Sequence, residues 1–238
     1  MSDVKSAPSV HHETVILATE GARRFDSYLA RPAAGRGPGL VILSEMWGVS
    51  QKKMQMADDY AERGWCALVP NMFWRSEFTG LVPFDQADKA WRRLQAFDFD
   101  RSAEDCKTAV KWLHASSHCN GKTAAIGFCM GGRIAFLAAA RSGVDAAVGL
   151  YALGIAKHLD EVRRMAVPVQ LHYGLKDEHI PQSEIDVVAA AAKGNPSMEL
   201  QYYPGAGHGF FNRTRSPDDE KAVETATAHI GRFLARFA

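Results

Sequence analysis

Apolar and polar positions along the chain alternate between short buried runs and longer amphipathic runs. The short runs are rich in β-branched and aromatic residues and are bounded by turn-forming residues, as is typical of strands. They predict strands at 11–18, 25–29, 39–43, 65–70, 123–126, 146–151, 167–173 and 198–203. The longer runs have helical spacing. They predict helices at 51–63, 84–97, 100–116, 133–141, 155–165, 182–193 and 218–237.

This order of elements predicts the fold class. Because strands and helices alternate almost throughout, we expect an α/β fold with a mainly parallel central sheet and helices on both faces. The length of 238 residues suits one core. No repeat or long linker divides the chain, so a single domain over 1–238 is expected. The pair Asn120-Gly121 predicts a turn before the strand at 123.

Charge and hydropathy exclude several classes of protein. The formal net charge is +1, and no cluster of Lys and Arg suggests a nucleic-acid or membrane partner. No apolar run reaches the roughly 20 residues of a membrane span, and the polar stretch 1–12 lacks the apolar core of a signal peptide. A cytoplasmic protein that binds a small molecule is therefore expected. We expect a monomer, with a homodimer as the alternative.

The four cysteines do not form a metal or redox motif. Cys66, Cys106, Cys119 and Cys129 are too far apart for a C-x-x-C pair, so neither a metal site nor a cofactor is expected. Free thiols commonly pack as small buried apolar groups. We expect this of three of them, whereas Cys129 has a special position in the chain.

Cys129 lies within Gly127-Phe128-Cys129-Met130-Gly131-Gly132, between a predicted strand and a predicted helix. A nucleophile flanked by small residues at such a turn is typical of the nucleophile elbow of α/β hydrolases, where serine is usual. Asp177 and His208 each follow a later predicted strand, in the order nucleophile, acid, histidine that this fold uses. The neighbouring Glu178 is an alternative to Asp177 as the acid.

Each of these residues has a chemical role in the predicted site. His208, oriented by Asp177, would convert the Cys129 thiol into the more nucleophilic thiolate. An oxyanion hole requires two backbone N–H groups, for which Met130 and Met46 are the candidates. Glu45 follows the buried strand 39–43 at the sheet edge where such folds bind ligands. Its spacing alone fits a site carboxylate and a surface ion pair equally well.

Aromatic residues beyond the strand ends predict an apolar pocket, although they could instead cap the core. The substrate-binding candidates among them are Trp47, Trp74, Trp91, Tyr151 and Phe210.

Several sequence blocks together resemble one family. These are the segment 41–49 (VILSEMWGV), Gln95-Ala96-Phe97-Asp98, Asn120-Gly121-Lys122, the elbow around Cys129, the strand before Asp177 and Ala206-Gly207-His208. From residue 39 to its C-terminal helix, the chain resembles the dienelactone hydrolase (carboxymethylenebutenolidase) family. That family belongs to the α/β-hydrolase superfamily and uses cysteine as its nucleophile.

The resemblance implies a hydrolase of lactones or esters with a triad of Cys129, His208 and Asp177, in the degradation of aromatic compounds. It also implies that Glu45 contacts Arg213 while the thiol rests protonated, and that substrate displaces Glu45 toward the thiol to activate it. By the same resemblance, Arg213 would bind a substrate carboxylate.

The chain departs from the family where a second carboxylate-binding arginine is expected. The segment 84–89 contains no arginine, and Arg75, Arg92 or Arg93 would have to substitute. A larger, less polar or uncharged ester or lactone is therefore a further expectation. The alternatives are a broad-specificity carboxylesterase and a non-catalytic thiol-sensing or binding protein.

Overall fold

A computed structural model describes residues 10–33 and 35–238. The strands are β1 (Val10–Glu20), β2 (Arg23–Pro32), β3 (Gly37–Leu43), β4 (Cys66–Pro70), β5 (Cys119–Phe128), β6 (Ala146–Leu150), β7 (Val169–Gly174) and β8 (Met198–Tyr203). The α-helices are α1 (Gln51–Glu62), α2 (Ala87–Gln95), α3 (Phe99–Ala115), α4 (Met130–Arg141), α5 (Leu159–Arg164), α6 (Gln182–Ala192) and α7 (Pro217–Leu234).

One sheet joins these strands in the order β1-β2-β4-β3-β5-β6-β7-β8. The pairs β1–β2 and β2–β4 are antiparallel, and the remaining pairs are parallel. The helices pack on the faces of the sheet, so the predicted α/β architecture is confirmed. Every residue of β3, β4, β6 and β7 is buried. This explains why these strands read as continuous apolar runs in the sequence.

The predicted turn at Asn120-Gly121 lies inside β5 rather than before it. Pairing with β3 steps from Gly37–Cys119 to Gly39–Thr123, so the residues between bulge out of the ladder. The Asn120 side chain accepts the N–H of Lys122 at 3.0 Å, and Gly121 has a φ of +94°. Turn chemistry is thus present, but the strand continues through it.

Two predicted helices are interrupted. The helix predicted at 84–97 begins as a 3₁₀ turn at Phe84–Gln86 before α2, and the helix predicted at 155–165 begins as a 3₁₀ turn at Ile155–His158 before α5. Within the described residues, Cys66, Cys106 and Cys119 are buried free thiols, as expected. None of the helices described is both long and apolar enough to span a bilayer.

Candidate active site

Cys129 lies on the sharp turn between β5 and α4. Its φ of 57° and ψ of −119° are uncommon for a residue with a side chain. A Cβ at Gly127 would overlap the carbonyl of Gly131, and a Cβ at Gly131 would overlap the carbonyl of Leu43. The two glycines are therefore needed for α4 to start so close to β3 and β5. The strand, turn and helix predicted around Cys129 are confirmed.

The surroundings of Cys129 favour a neutral thiol. The residue is only 6% exposed. Burial raises the pKa of the Cys129 thiol well above its usual range, and the negative charges of Glu45 and Asp177 raise it further. The backbone N–H of Met130, at the start of α4, donates toward the sulfur and acts in the opposite direction. A proton acceptor must therefore be available before this thiol can attack.

His208 is bonded to the Asp177 carboxylate. The distance from His208 Nδ1 to Asp177 Oδ2 is 2.8 Å, and Asp177 Oδ1 accepts the backbone N–H groups of His179 and Ile180 at 2.8 and 3.1 Å. Glu178 instead accepts the backbone N–H of His208, at 3.4 Å, and does not reach the imidazole. Of the two acids that the sequence offered, Asp177 is the one that orients the ring.

The loop around His208 is held by residues that the sequence did not single out. Arg215 Nη2 donates to the His208 carbonyl at 3.0 Å, and the backbone N–H of Arg215 donates to Asp219 at 2.9 Å. The imidazole packs edge-on against Tyr151 and His179, with centroid separations of 5.1 and 4.8 Å. The glycines beside His208 do not indicate these contacts, because Tyr151 and His179 come from other loops and the Arg215 bond depends on how the loop folds back on itself.

A cavity of about 880 Å³ brings the predicted residues together. Its wall includes Cys129, His208, Glu45 and Met46. Within the described part of the chain, no hydrogen bond joins Cys129 Sγ to His208. The thiol and the imidazole thus face one cavity without a direct bond between them.

One side of this cavity is apolar. Trp47 and Phe84 meet edge-to-face at a centroid distance of 4.7 Å, and Trp91 extends the same wall toward His179. The guanidinium of Arg213 lies 4.5 Å from the centroid of Phe84. Trp47, Trp91, Tyr151 and Arg213, four of the substrate-binding candidates, all line the cavity.

Two of the substrate-binding candidates lie in the core, and those predictions are wrong. Trp74 is 3% exposed, stacks on Phe25 and donates its indole N–H to Asp105 at 3.1 Å. Phe210 is fully buried between Tyr151 and Tyr203. For these two aromatics the alternative interpretation, that they cap the core, is correct. A position beyond a strand end does not determine whether a side chain points into the cavity or into the core.

Glu45 has a different partner from the one that the resemblance implied. Its carboxylate is 3.2 Å from Lys53 Nζ and accepts the side-chain N–H of Asn212, whereas Arg213 lies over Phe84. The expected contact between Glu45 and Arg213 is therefore absent from the described residues. A signal for Lys53 was present, because Ala57 and Ala61 follow it at intervals of four residues and mark the buried face of α1.

None of the three arginines proposed as substitutes reaches the cavity. Arg75 pairs with Asp105 and Glu20, and Arg92 lies on the wall of a different cavity. Arg93 is buried and donates to the carbonyls of Met46, Phe78 and Gly80 at 2.5, 2.9 and 2.8 Å. Among the described residues, the arginines that line the site are Arg213 and Arg215.

The two backbone N–H candidates for an oxyanion hole are placed near Cys129 by different elements. Met130 is the first residue of α4, where N–H groups have no partner within the helix. Met46 follows β3 and lines the cavity. Among the described residues, no backbone carbonyl accepts the N–H of Met46 or Met130. The Met46 N–H is therefore available to an oxygen atom, and the Met130 N–H would have to turn from the Cys129 sulfur to that oxygen.

Comparisons with known proteins show to which family the chain belongs. The sequence profile of the dienelactone hydrolase family matches residues 25–238. The chain belongs to this family. The chain is 29% identical over 226 residues to carboxymethylenebutenolidase of Pseudomonas putida, with 94% of this chain and 96% of that protein covered. It is 28% identical to carboxymethylenebutenolidase 1 of Cupriavidus pinatubonensis, with 93% and 95% covered.

Solved structures show the same architecture. A dienelactone hydrolase-like promiscuous phosphotriesterase from metagenomic libraries superposes with a TM-score of 0.82 at 19% identity, over 97% of this chain and 99% of that one. At that identity the likeness concerns the fold alone. The family match and the fold together make the chain a dienelactone hydrolase-like member of the α/β-hydrolase superfamily.

Proposed function

We propose that the chain hydrolyses ester or lactone bonds with Cys129 as the nucleophile, His208 as the general base and Asp177 as the residue that orients His208. The observation that carries this proposal is the 2.8 Å bond between His208 and Asp177 in the cavity that also receives Cys129. A carboxylate that accepts a hydrogen bond from Nδ1 fixes the tautomer of the imidazole. This tautomer leaves Nε2 able to accept a proton.

The reaction follows from these roles. His208 Nε2 takes the proton of the Cys129 thiol as the sulfur attacks the carbonyl carbon. The oxyanion of the tetrahedral intermediate accepts the N–H groups of Met46 and Met130, which stabilise it by several kcal/mol. His208 then protonates the leaving alkoxide, and a thioester remains on Cys129. Water, deprotonated by His208, releases the acid and restores the thiol.

Glu45 controls the charge state of the thiol in this proposal. Its negative charge disfavours the thiolate in the free enzyme, together with the burial of Cys129. Proton transfer to His208 must therefore accompany attack on a bound substrate. An enzyme of this kind has little thiolate to lose to oxidants between turnovers, because the thiolate is the reactive form.

The cavity favours a substrate with an apolar or aromatic part. Trp47, Phe84 and Trp91 offer an apolar wall, and Arg213 places one cation beside it. The relatives named carboxymethylenebutenolidase support a lactone as the substrate. The apolar wall supports a second candidate, a carboxylesterase for less polar esters. We propose the uncharged ester or aryl lactone as the class to test first.

Replacement of the nucleophile tests the proposal. Cys129→Ala should lower hydrolysis of p-nitrophenyl butyrate and of dihydrocoumarin by at least about 10³-fold. Cys66→Ala, which removes a buried thiol outside the cavity, should keep the wild-type rate. Mass spectrometry of the wild type during turnover should detect the butyryl thioester on Cys129. Labelling of Cys129 without turnover of any ester would instead favour the non-catalytic thiol-sensing alternative.

A further inference from the structure

Lys53 is a buried lysine in the wall of the proposed active site. Burial lowers the pKa of its ammonium group, whereas the adjacent Glu45 carboxylate acts in the opposite direction and favours the charged form. Lys53 lies in the first turn of α1, and its side chain is 1% exposed. Its ammonium nitrogen is 3.2 Å from Glu45 Oε1, 3.0 Å from Asn212 Oδ1 and 3.3 Å from the centroid of Phe128. A carboxylate, an amide oxygen and an aromatic face are the groups that stabilise a desolvated ammonium.

These contacts fix Glu45 from two sides. Asn212 donates its side-chain N–H to Glu45 and to the hydroxyl oxygen of Tyr151, the latter at 2.8 Å. Tyr151 in turn packs against the imidazole of His208. Glu45 is thus tied to α1 by Lys53 and to the His208 loop by Asn212. Because the pair is largely withdrawn from water, removal of either charge would leave the other without compensation.

Arg213 takes no part in this network. Its guanidinium lies over Phe84 at the cavity wall, and no contact with Glu45 occurs within the described residues. A substrate anion that docked on Arg213 would therefore not compete with Glu45 for a partner.

We infer that Lys53 is a positioning residue, which holds the Glu45 carboxylate in the free enzyme together with Asn212, so that activation of Cys129 does not depend on an anionic group of the substrate. This inference rests on the proposed function, since it concerns the thiol that would attack the ester. It names the substrate class more closely, because an uncharged ester should be activated as well as a charged one.

The charges around Cys129 determine what removal of Lys53 should do. The sulfur is faced by Glu45 from the β3 loop, by Asp177 and His208 from the loops after β7 and β8, and by the N-terminus of α4. Lys53 from α1 compensates the charge of Glu45. Without Lys53, the Glu45 charge disfavours the thiolate more strongly. If Glu45 is neutralised as well, that additional repulsion is removed.

Alkylation of Cys129 by iodoacetamide, followed by peptide mass spectrometry, measures this effect without any need for turnover. At pH 7 Lys53→Met should be alkylated about tenfold more slowly than wild type, equivalent to about one unit in the thiol pKa. Lys53→Met/Glu45→Gln should return to the wild-type rate or exceed it. Lys107→Met, which replaces a half-exposed lysine on α3 outside the cavity, should behave as wild type.

Two results would overturn the inference. One is a wild-type alkylation rate in Lys53→Met. The other is a double variant as slow as the single one, which a purely structural role of Lys53 would give. Should Lys53→Met not fold, Asn212→Leu removes the second partner of Glu45 and should slow alkylation about threefold. An unchanged alkylation rate in Asn212→Leu would contradict the inference that Lys53 and Asn212 hold Glu45.

A second experiment measures kcat of the wild-type enzyme with two matched esters, the uncharged p-nitrophenyl butyrate and the anionic mono-p-nitrophenyl succinate. The two kcat values should agree within about threefold. A kcat at least about tenfold higher for the succinate ester would show activation by an anion and overturn the inference. Failure of both esters, with Cys129 still alkylated, would count against the proposed function, whereas the alkylation series would still decide the role of Lys53.

Discussion

Asp177 Oδ2 lies 2.8 Å from His208 Nδ1, while Asp177 Oδ1 accepts two backbone N–H groups from the turn that follows it. The carboxylate is therefore held in one orientation by its own loop and presents its other oxygen to the imidazole. An ionised carboxylate can only accept, so Nδ1 of His208 is the donor. The ring then directs Nε2 away from Asp177.

Substitutions of Asp177 and of the neighbouring Glu178 should have different effects on catalysis. In Asp177→Asn the amide no longer stabilises the charged imidazole and can favour the wrong tautomer, so kcat for p-nitrophenyl butyrate should fall by at least about 100-fold. The Glu178 carboxylate accepts the backbone N–H of His208 and pairs with Arg215 and His179, but it does not reach the His208 imidazole. Glu178→Gln should therefore change kcat by less than about threefold. Equal losses in the two variants would contradict the assignment of Asp177.

Arg93 offers a prediction about the oxyanion hole. Its guanidinium joins the carbonyl of Met46 to those of Phe78 and Gly80, and no carboxylate among the described residues pairs with it. Arg93→Met should let the Met46 loop move and lower kcat by about tenfold or more, with a smaller change in KM. The neighbouring Arg92→Met is a matched control on the same helix, because that side chain is exposed.

Arg93→Met should also lower the free energy of unfolding by about 1–3 kcal/mol, because three carbonyls lose a charged donor. Urea denaturation measures this loss. A kcat that is unchanged despite the loss of stability would show that Arg93 supports the fold and not the oxyanion hole.

The sheet and the order of the catalytic candidates could be predicted from the sequence, because both depend on local sequence patterns. Continuous apolar strands such as β3 and β7 are unambiguous, and the elbow at Cys129 requires glycines that can be read directly. Each candidate acid and base follows a strand, so the parallel topology brings them to one edge of the sheet.

The parts that failed depend on side-chain direction and on contacts between distant segments. Trp74 and Phe210 lie beyond strand ends, as predicted, but their rings point into the core and not into the cavity. The pair of Lys53 and Glu45 joins α1 to the loop after β3, and Asn212 joins both to the His208 loop. No local pattern specifies which of several nearby cations a buried carboxylate will select.

The aromatic wall predicts selectivity for apolar substrates. Phe84→Ala and Trp91→Ala should each raise KM for p-nitrophenyl butyrate by about five- to tenfold, because a half-exposed ring contributes about 1 kcal/mol of apolar contact. The effect on p-nitrophenyl acetate should be smaller. Val187→Ala, an exposed apolar residue on α6, is the control and should change neither value. Equal effects on both esters would place the acyl chain elsewhere in the cavity.

A buried histidine far from the elbow predicts how stability depends on pH. His172 on β7 is fully buried, with Nδ1 2.8 Å from the Tyr203 hydroxyl and Nε2 2.9 Å from Gln170 Oε1. Burial lowers the pKa of His172 to about 3, and the nearby His229 contributes in the same direction. An unfolded histidine binds its proton near pH 6.5, so between these values the unfolded chain holds one more proton than the native one.

The sign follows from that difference. The stability that His172 contributes is complete above about pH 6.5 and is lost as the pH falls toward 3, at up to about 1.4 kcal/mol per pH unit. His172→Gln should therefore show a shallower decline of unfolding free energy between pH 6 and pH 4 than wild type, by about 1 kcal/mol per pH unit, in urea titrations. Equal slopes in His172→Gln and wild type would mean that the native protein binds the proton as readily as the unfolded chain.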